Sequence, residues 1–224
     1  MNPASSKRPK YIVVTAGPTR EKIDPVRFIS NYSTGTFGYE IAGEARRRGH
    51  RVTLVSGPAC LKRPAGVRRI MVESATEMRS ALSGEFKKAD CVIMAAAVSD
   101  WRPLSSRSRK MKRATGRKIV LEMAENPDIL AGLGRKKGNK VLVGFALETE
   151  HMYTNALKKL REKNLDLIVA NRCSKGGTAF GPGKTDIAII DRRGGRTSAR
   201  GRSKRELAKI ILDKVLDRTY SGKL

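Results

Sequence analysis

The sequence predicts an α/β protein: a Rossmann-like, doubly wound, mainly parallel sheet with helices on both faces. Three observations lead there. Short apolar runs alternate with amphipathic segments along the whole chain, the pattern of a parallel sheet covered by helices. One run, CVIMAAAV at 91–98, is apolar throughout, as a strand buried on both faces must be. Neither an internal repeat nor a long linker divides the 224 residues, a length that suits one domain with a full core. Residues 1–224 are therefore read as a single domain.

Taken in order, residues 11–15 (YIVVT) form a first strand that ends in a turn at Gly17 and Pro18. A helix over 37–48 puts Phe37, Ile41, Ala42 and Ala45 on one face and is closed by Gly49. Strands follow at 51–55 (RVTLV) and 69–72. Ser74 and Glu77 make an S-x-x-E capping box that starts a helix running to about 88. The apolar run 91–98 is the fourth strand, and the Ser-rich basic stretch 103–118 leaves the sheet. Asn126 as N-cap with Pro127 at the first helical position opens another helix. A strand at 141–146 (VLVGFA), a helix at 152–163 and a strand at 165–170 (LDLIVA) come next. The chain closes with a strand at 186–191, a basic Gly-rich turn at 192–205, and a helix over 203–218 capped by Ser203 and Glu206.

Composition narrows the function classes. With 39% hydrophobic residues and no apolar run near the roughly 20 residues a membrane span needs, no membrane association is expected. The first ten residues lack the apolar core of an export signal. Cys60, Cys91 and Cys173 are odd in number, far apart and form no C-x-x-C, so neither a disulfide framework nor a zinc site is expected. A cytoplasmic location follows. The net charge of +26 invites a nucleic-acid reading. Against it, the charge is spread evenly, aromatics are 5%, and no recognition module is present. An anionic small substrate accounts for the charge as well, so nucleic acid is not the expected partner.

Ligands of a doubly wound sheet lie beyond the carboxyl ends of the strands, here just after Thr15, Val55, Val98 and Ala146. A dinucleotide-binding protein would show G-x-G-x-x-G after the first strand and an acidic residue ending the second. This chain has TAGPTR at 15–20 and SGP at 56–58, so a nicotinamide oxidoreductase lacks both signatures. A long loop over 23–38 leads instead into a helix N-terminus. Ser33, Thr34, Gly35 and the first helical amides make an anion cradle, since orphan N–H groups and the helix dipole both favour phosphate. An ordinary capped loop carries the same triplet.

The stretch TAGPTREKIDPVRFISNYSTGTFGYEIA at 15–42 resembles the opening of phosphopantothenate-cysteine ligase (phosphopantothenoylcysteine synthetase). In many bacteria that enzyme is the C-terminal half of a bifunctional coenzyme A biosynthesis protein. The likeness continues in order through VTLVSGP (52–58), AAAVSDW (95–101), KMKR (110–113), ENPDIL (125–130), VGFALET (143–149) and KNLDLIVAN (163–171). It covers about residues 1–215.

The resemblance implies roles residue by residue. Asn31 matches the asparagine that turns over the acyl-nucleotide intermediate, with Arg27 nearby for a substrate phosphate or carboxylate. Taken alone, Asn31 reads as a cap or turn residue rather than a catalyst. Met94, Ala95 and Ala96 match backbone contacts to the nucleotide, and Asp100 a carboxylate that contacts it. Lys110 matches a lysine on the triphosphate, although Arg107, Arg109, Lys112 and Arg113 also fit a solvated basic loop. The segment 104–118 matches a mobile flap over the site. Asn126, Pro127, Asp128 and Ile129 match a nucleotide-binding NPDI, Phe145 an aromatic contact, and Lys159 and Lys163 two further lysines one helical turn apart. Ser33 and Gly35 belong to the anion cradle, while Asn171 and Phe180 are placed in a loop.

By the same resemblance the reaction joins 4'-phosphopantothenate to L-cysteine through an acyl-nucleotide. CTP is favoured over ATP as cosubstrate because residues 126–129 and the helix lysines follow the bacterial pattern. Magnesium accompanies the triphosphate, with no protein ligand assigned. No flavin is expected, a separate decarboxylase would be the pathway partner, and a homodimer is implied. Two departures stand out. Thr36 occupies a position where bacterial members carry lysine, and the basic stretch 192–205 has no functional counterpart.

Overall fold

The computed structural model describes residues 8–112, 118–172 and 183–221. The chain runs β1 (Tyr11–Ala16), β2 (Arg20–Lys22), β3 (Phe28–Ser30), α1 (Thr36–Arg47), β4 (Arg51–Ser56), β5 (Arg68–Met71), α2 (Ala75–Phe86) and β6 (Cys91–Met94). It continues through β7 (Trp101–Pro103), β8 (Met123–Glu125), α3 (Ile129–Arg135), β9 (Val141–Glu148), α4 (Met152–Glu162), β10 (Leu167–Arg172), β11 (Thr185–Asp191), β12 (Arg196–Arg202) and α5 (Lys204–Ser221).

Eight strands form one sheet in the order β12-β11-β10-β9-β6-β1-β4-β5. The six from β5 to β10 are parallel, and β11 and β12 add an antiparallel edge. From β1 the chain builds outward through β4 and β5, then returns to β6 and builds the other way. The boundary between β1 and β6 is therefore the switch point where such a sheet holds ligands.

Alternation along the central strands divides the core in two. Ile12 and Val14 face α1 and α5, together with Ile41, Leu54, Leu207 and Ile211. Val13 faces α2, α3 and α4, with Met78, Leu82, Leu142, Leu160 and Ile168. The helix ends follow the capping expectations: Ser74 Oγ accepts from Glu77 N at 3.2 Å. At α5, Ser203 and Glu206 bond reciprocally, at 3.3 Å and 3.0 Å. Gly49 takes φ 86° after α1, a left-handed turn that a residue with a side chain resists.

Four expectations are corrected. The strand expected over 91–98 stops at Met94, because the next amides leave the ladder: Ala96 N donates to Thr15 Oγ1 at 3.0 Å and Ala97 N to Gly17 O at 3.0 Å. The N-cap of α3 is Asp128, not Asn126; Asp128 Oδ1 accepts from Ala131 N at 2.9 Å, while Asn126 sends its amide to Ser99 O. The turn expected at 192–205 is short, and Arg196–Arg202 forms the edge strand β12; its Arg, Gly and Ser content hid a period of two. The irregular stretches around 20–30 and 101–125 hold two small hairpins, β2–β3 and β7–β8. The second carries the segment read as a flap, of which residues 113–117 lie outside the described ones.

Candidate functional site

A cleft of about 620 Å³ opens over the carboxyl ends of β1, β6, β9 and β10, and the loop after β1 builds its floor. Gly35, the N-cap of α1, takes φ 80°, and no side chain caps the helix. A β-carbon there would sit 3.0 Å from Gly17 N, so only glycine lets the two loops stack. The uncapped start of α1 lines the cleft with Ser33, Thr34, Gly35 and Thr36, and its dipole makes that corner electropositive.

Facing it is the loop after β6. Asn31 Nδ2 donates to Ala97 O at 3.0 Å, which also receives Thr19 N at 3.2 Å. That bond sets the Asn31 amide at the mouth of the cleft and uses one of its two N–H groups. Met94 is buried, Ala95 and Ala96 half-buried, and Asp100 exposed at the rim, all lining the cleft.

The far wall comes from α3 and α4. Lys163 Nζ pairs with Asp128 Oδ2 at 2.9 Å, and Lys159 Nζ with Glu148 Oε1 at 2.6 Å. Burial raises the Asp128 carboxyl, but the Ala131 N–H and the Lys163 ammonium outweigh it, and its pKa falls below the ordinary value. Glu148 is likewise lowered: burial opposes, and hydrogen bonds from Lys159 and Asn155 prevail. Both lysines thus reach the cleft held by carboxylates. Phe145 closes the middle, its ring 5.6 Å from that of Phe37 and tilted by 59°.

The cleft therefore gathers Asn31, Ser33, Gly35, Met94, Ala95, Ala96, Asp100, Asn126, Pro127, Asp128, Ile129, Phe145, Lys159 and Lys163. It does not gather Arg27 or Lys110. Arg27 belongs to the β2–β3 hairpin, where its guanidinium pairs with Asp24 at 3.3 Å and donates to Met111 O. Asp24, 2% exposed, also accepts from Val26, Arg27 and Met111 amides, so this corner clamps the 107–112 segment onto the hairpin. Lys110 is exposed on that segment. Asn171 lines the cleft from β10 rather than from a loop, and Phe180 lies outside the described residues.

Sequence reading missed Lys204, the first residue of α5, which lines the cleft and is 4% exposed. Its position after a capping serine marked a helix start and nothing more. Among the described residues, no group of three or more His, Cys, Asp or Glu side chains could hold a metal ion, and no helix is long and apolar enough to cross a membrane.

Fold and cleft together define a doubly wound α/β protein with a polar, cation-lined site at its switch point. Residues 8–219 match the model of the DNA/pantothenate metabolism flavoprotein C-terminal domain, and the chain belongs to that family. It is 44% identical over 207 residues to the coenzyme A biosynthesis bifunctional protein CoaBC of Bacillus subtilis, covering 92% of this chain and 51% of that protein. The Escherichia coli K12 protein of the same name is 38% identical over 220 residues, covering 97% and 54%. A protein named cysteine/cysteine sulfinic acid decarboxylase, from an unknown prokaryotic organism, is 45% identical over 210 residues, covering 92% and 58%. The chain thus spans between half and three-fifths of these relatives. A crystal structure of the C-terminal domain of CoaBC is 40% identical, with a TM-score of 0.79, covering 92% of this chain and 93% of that one. A Cab2 mutant in complex with phosphopantothenate-cysteine shares the fold at 17% identity and a TM-score of 0.80, covering 95% and 87%.

Proposed function

We propose that this chain is a phosphopantothenate-cysteine ligase, acting in coenzyme A biosynthesis with CTP as cosubstrate. The observation that carries the reading is the cleft at the β1/β6 boundary. It sets an uncapped helix start, suited to one phosphate, opposite a wall with two lysines, suited to a triphosphate.

The carboxylate of 4'-phosphopantothenate attacks the α-phosphate of the nucleotide and releases pyrophosphate, leaving a mixed anhydride. The amine of cysteine then attacks the activated carbonyl, forms the amide and releases the nucleoside monophosphate. Asn31 stands between the two walls, where its remaining N–H suits the oxyanion of that second step. Lys159 and Lys163 exchange their carboxylate partners for phosphate oxygens. Magnesium would neutralise triphosphate charge, and Asp100 and Glu125, exposed carboxylates that line the cleft, are the residues that would help hold it. Lys110 and Arg27 are further anion contacts of this reading; both require the β2–β3 hairpin and the segment it clamps to meet the ligand.

A homodimer belongs to the same proposal. Val26, Phe28, Tyr32, Trp101, Leu104, Ile119 and Val120, all 45% to 89% exposed, put apolar side chains on the surface of the two hairpins and the stretches beside them, where a partner could cover them. Sizing should give twice the chain mass, and a monomer at micromolar concentration would remove the dimer. The ligase is tested by supplying purified protein with 4'-phosphopantothenate, L-cysteine, Mg2+ and either CTP or ATP. Pyrophosphate should appear with CTP; none with either nucleotide refutes the assignment.

A further inference from the structure

We propose that Asp24 is a positioning residue for the nucleotide-consuming step: it holds the segment that carries Lys110 against the β2–β3 hairpin and so sets where that lysine meets the triphosphate. The inference rests on the ligase reading, in which Lys110 is an anion contact.

Asp24 stands in the turn between β2 and β3, on a two-stranded hairpin outside the central sheet. Its side chain is nonetheless fully covered, at 0% exposure. A carboxylate withdrawn from water needs hydrogen bonds and counter-charge, and its two oxygens obtain them from different places. Oδ1 accepts from Val26 N at 2.8 Å and from Arg27 N at 2.9 Å, the local pattern of an Asx turn. Oδ2 accepts from Met111 N at 3.1 Å, 87 residues further along the chain, and pairs with Arg27 Nε at 3.3 Å. Burial raises the pKa of this carboxyl, but the amides of Val26, Met111 and Arg27 and the Arg27 guanidinium outweigh it, and the value falls below the ordinary one.

The same corner grips the segment at two more points. Arg27 Nη2 donates to Met111 O, and Arg107 N donates to Ile23 O at 2.9 Å. Arg107 and Met111 are therefore both bonded to the hairpin, and Lys110 lies between them, exposed. The stem of a lysine is flexible, so where its ammonium can act depends on where its backbone is held.

The turn by itself does not require an aspartate. An asparagine caps such a turn through its one oxygen, but its NH2 group would then face Met111 N, donor against donor. The second carboxylate oxygen is the part of Asp24 that serves the long-range contact, and Asp24→Asn removes that part alone.

Asp24→Asn, Lys110→Gln and the double variant, assayed for pyrophosphate release with CTP, 4'-phosphopantothenate and L-cysteine, test the assignment. Lys110→Gln should lower kcat/KM for CTP, and Asp24→Asn should lower it roughly 10-fold, the scale of a reacting group set slightly out of place. Because Asp24 acts through Lys110, its substitution should cost less than about twofold more in the Lys110→Gln background; a merely structural role would lower both backgrounds equally. KM for L-cysteine, which enters after the nucleotide step, should stay within about twofold. Should Asp24→Asn not fold, Asp24→Ser, whose hydroxyl also caps such a turn, goes through the same cycle. An equal loss in both backgrounds overturns the assignment, and a Lys110→Gln protein as active as the unaltered one removes the lysine and the assignment together. If the unaltered protein releases no pyrophosphate, the ligase reading itself fails; if it does, Lys110→Gln is impaired and Asp24→Asn is not, Asp24 alone is refuted.

Discussion

The two ends of the parallel sheet are built on opposite principles. At the amino ends of the strands, polar groups are spent on one another. Asp90 accepts from Tyr11 N at 2.7 Å and Asp166 from Leu142 N at 2.8 Å. Asp166 also pairs with Lys137 at 2.7 Å, both side chains 2% exposed. At the carboxyl ends glycines let the loops stack closely, α1 starts uncapped, and charged side chains line open space. One end holds the sheet together, and the other leaves an open cleft. Parallel strands make this division natural, since their loops of one kind all emerge at the same edge.

If the division holds, mutations at the two ends should separate stability from activity. The largest effect is expected from Asp166→Asn, which takes the carboxylate from a buried ammonium and should cost about 3–5 kcal/mol of unfolding free energy. Denaturant melts should show this loss while turnover per folded molecule stays normal; lowered turnover in fully folded protein would break the comparison. Next comes Asn31→Asp, at an exposed site whose amide bonds to a loop carbonyl. It should reduce amide formation on the order of 10²- to 10³-fold and leave the melt unchanged. Product formation at the normal rate would remove Asn31 from the chemistry.

The smallest effect lies between the two ends, on α1. Hydrogen bonds from Arg47, and then from Arg48, overcome burial and hold the Glu44 carboxyl down at about 2. A depressed carboxylate contributes stability above its unfolded pKa, and that contribution is lost as pH falls from about 4.5 to about 2. Replacing Glu44 by Gln should flatten the fall in thermal midpoint over that window. A profile identical to that of the unaltered protein would show that the Glu44 contacts add nothing.

Much of this architecture was legible in the chain itself. Apolar runs such as VIMA and LIVA located the buried strands because burial on both faces leaves no polar position to interrupt them. Ser74 and Ser203 located helix starts because a cap is a local bond. The edge strand β12 was missed since a strand wet on one side and rich in arginine has no apolar run to report it. The end of β6 was missed because its amides were captured by Thr15 and Gly17, far away in sequence.

The candidate site divides the same way. The sequence by itself determined the fold class, the edge of the sheet where ligands belong and, through ordered motifs, most of the residues lining the cleft. These depend on periodicity and on contiguous segments, which a linear chain displays. Only the tertiary structure decided that Arg27 and Lys110 stand off the cleft and that Lys204 joins it. It also decided that Lys163 meets Asp128 across the far wall. The reason is physical: burial of a charged residue and the pairing of distant ones arise from packing α1 against α5 and the start of α3 against the end of α4, and no local pattern encodes either.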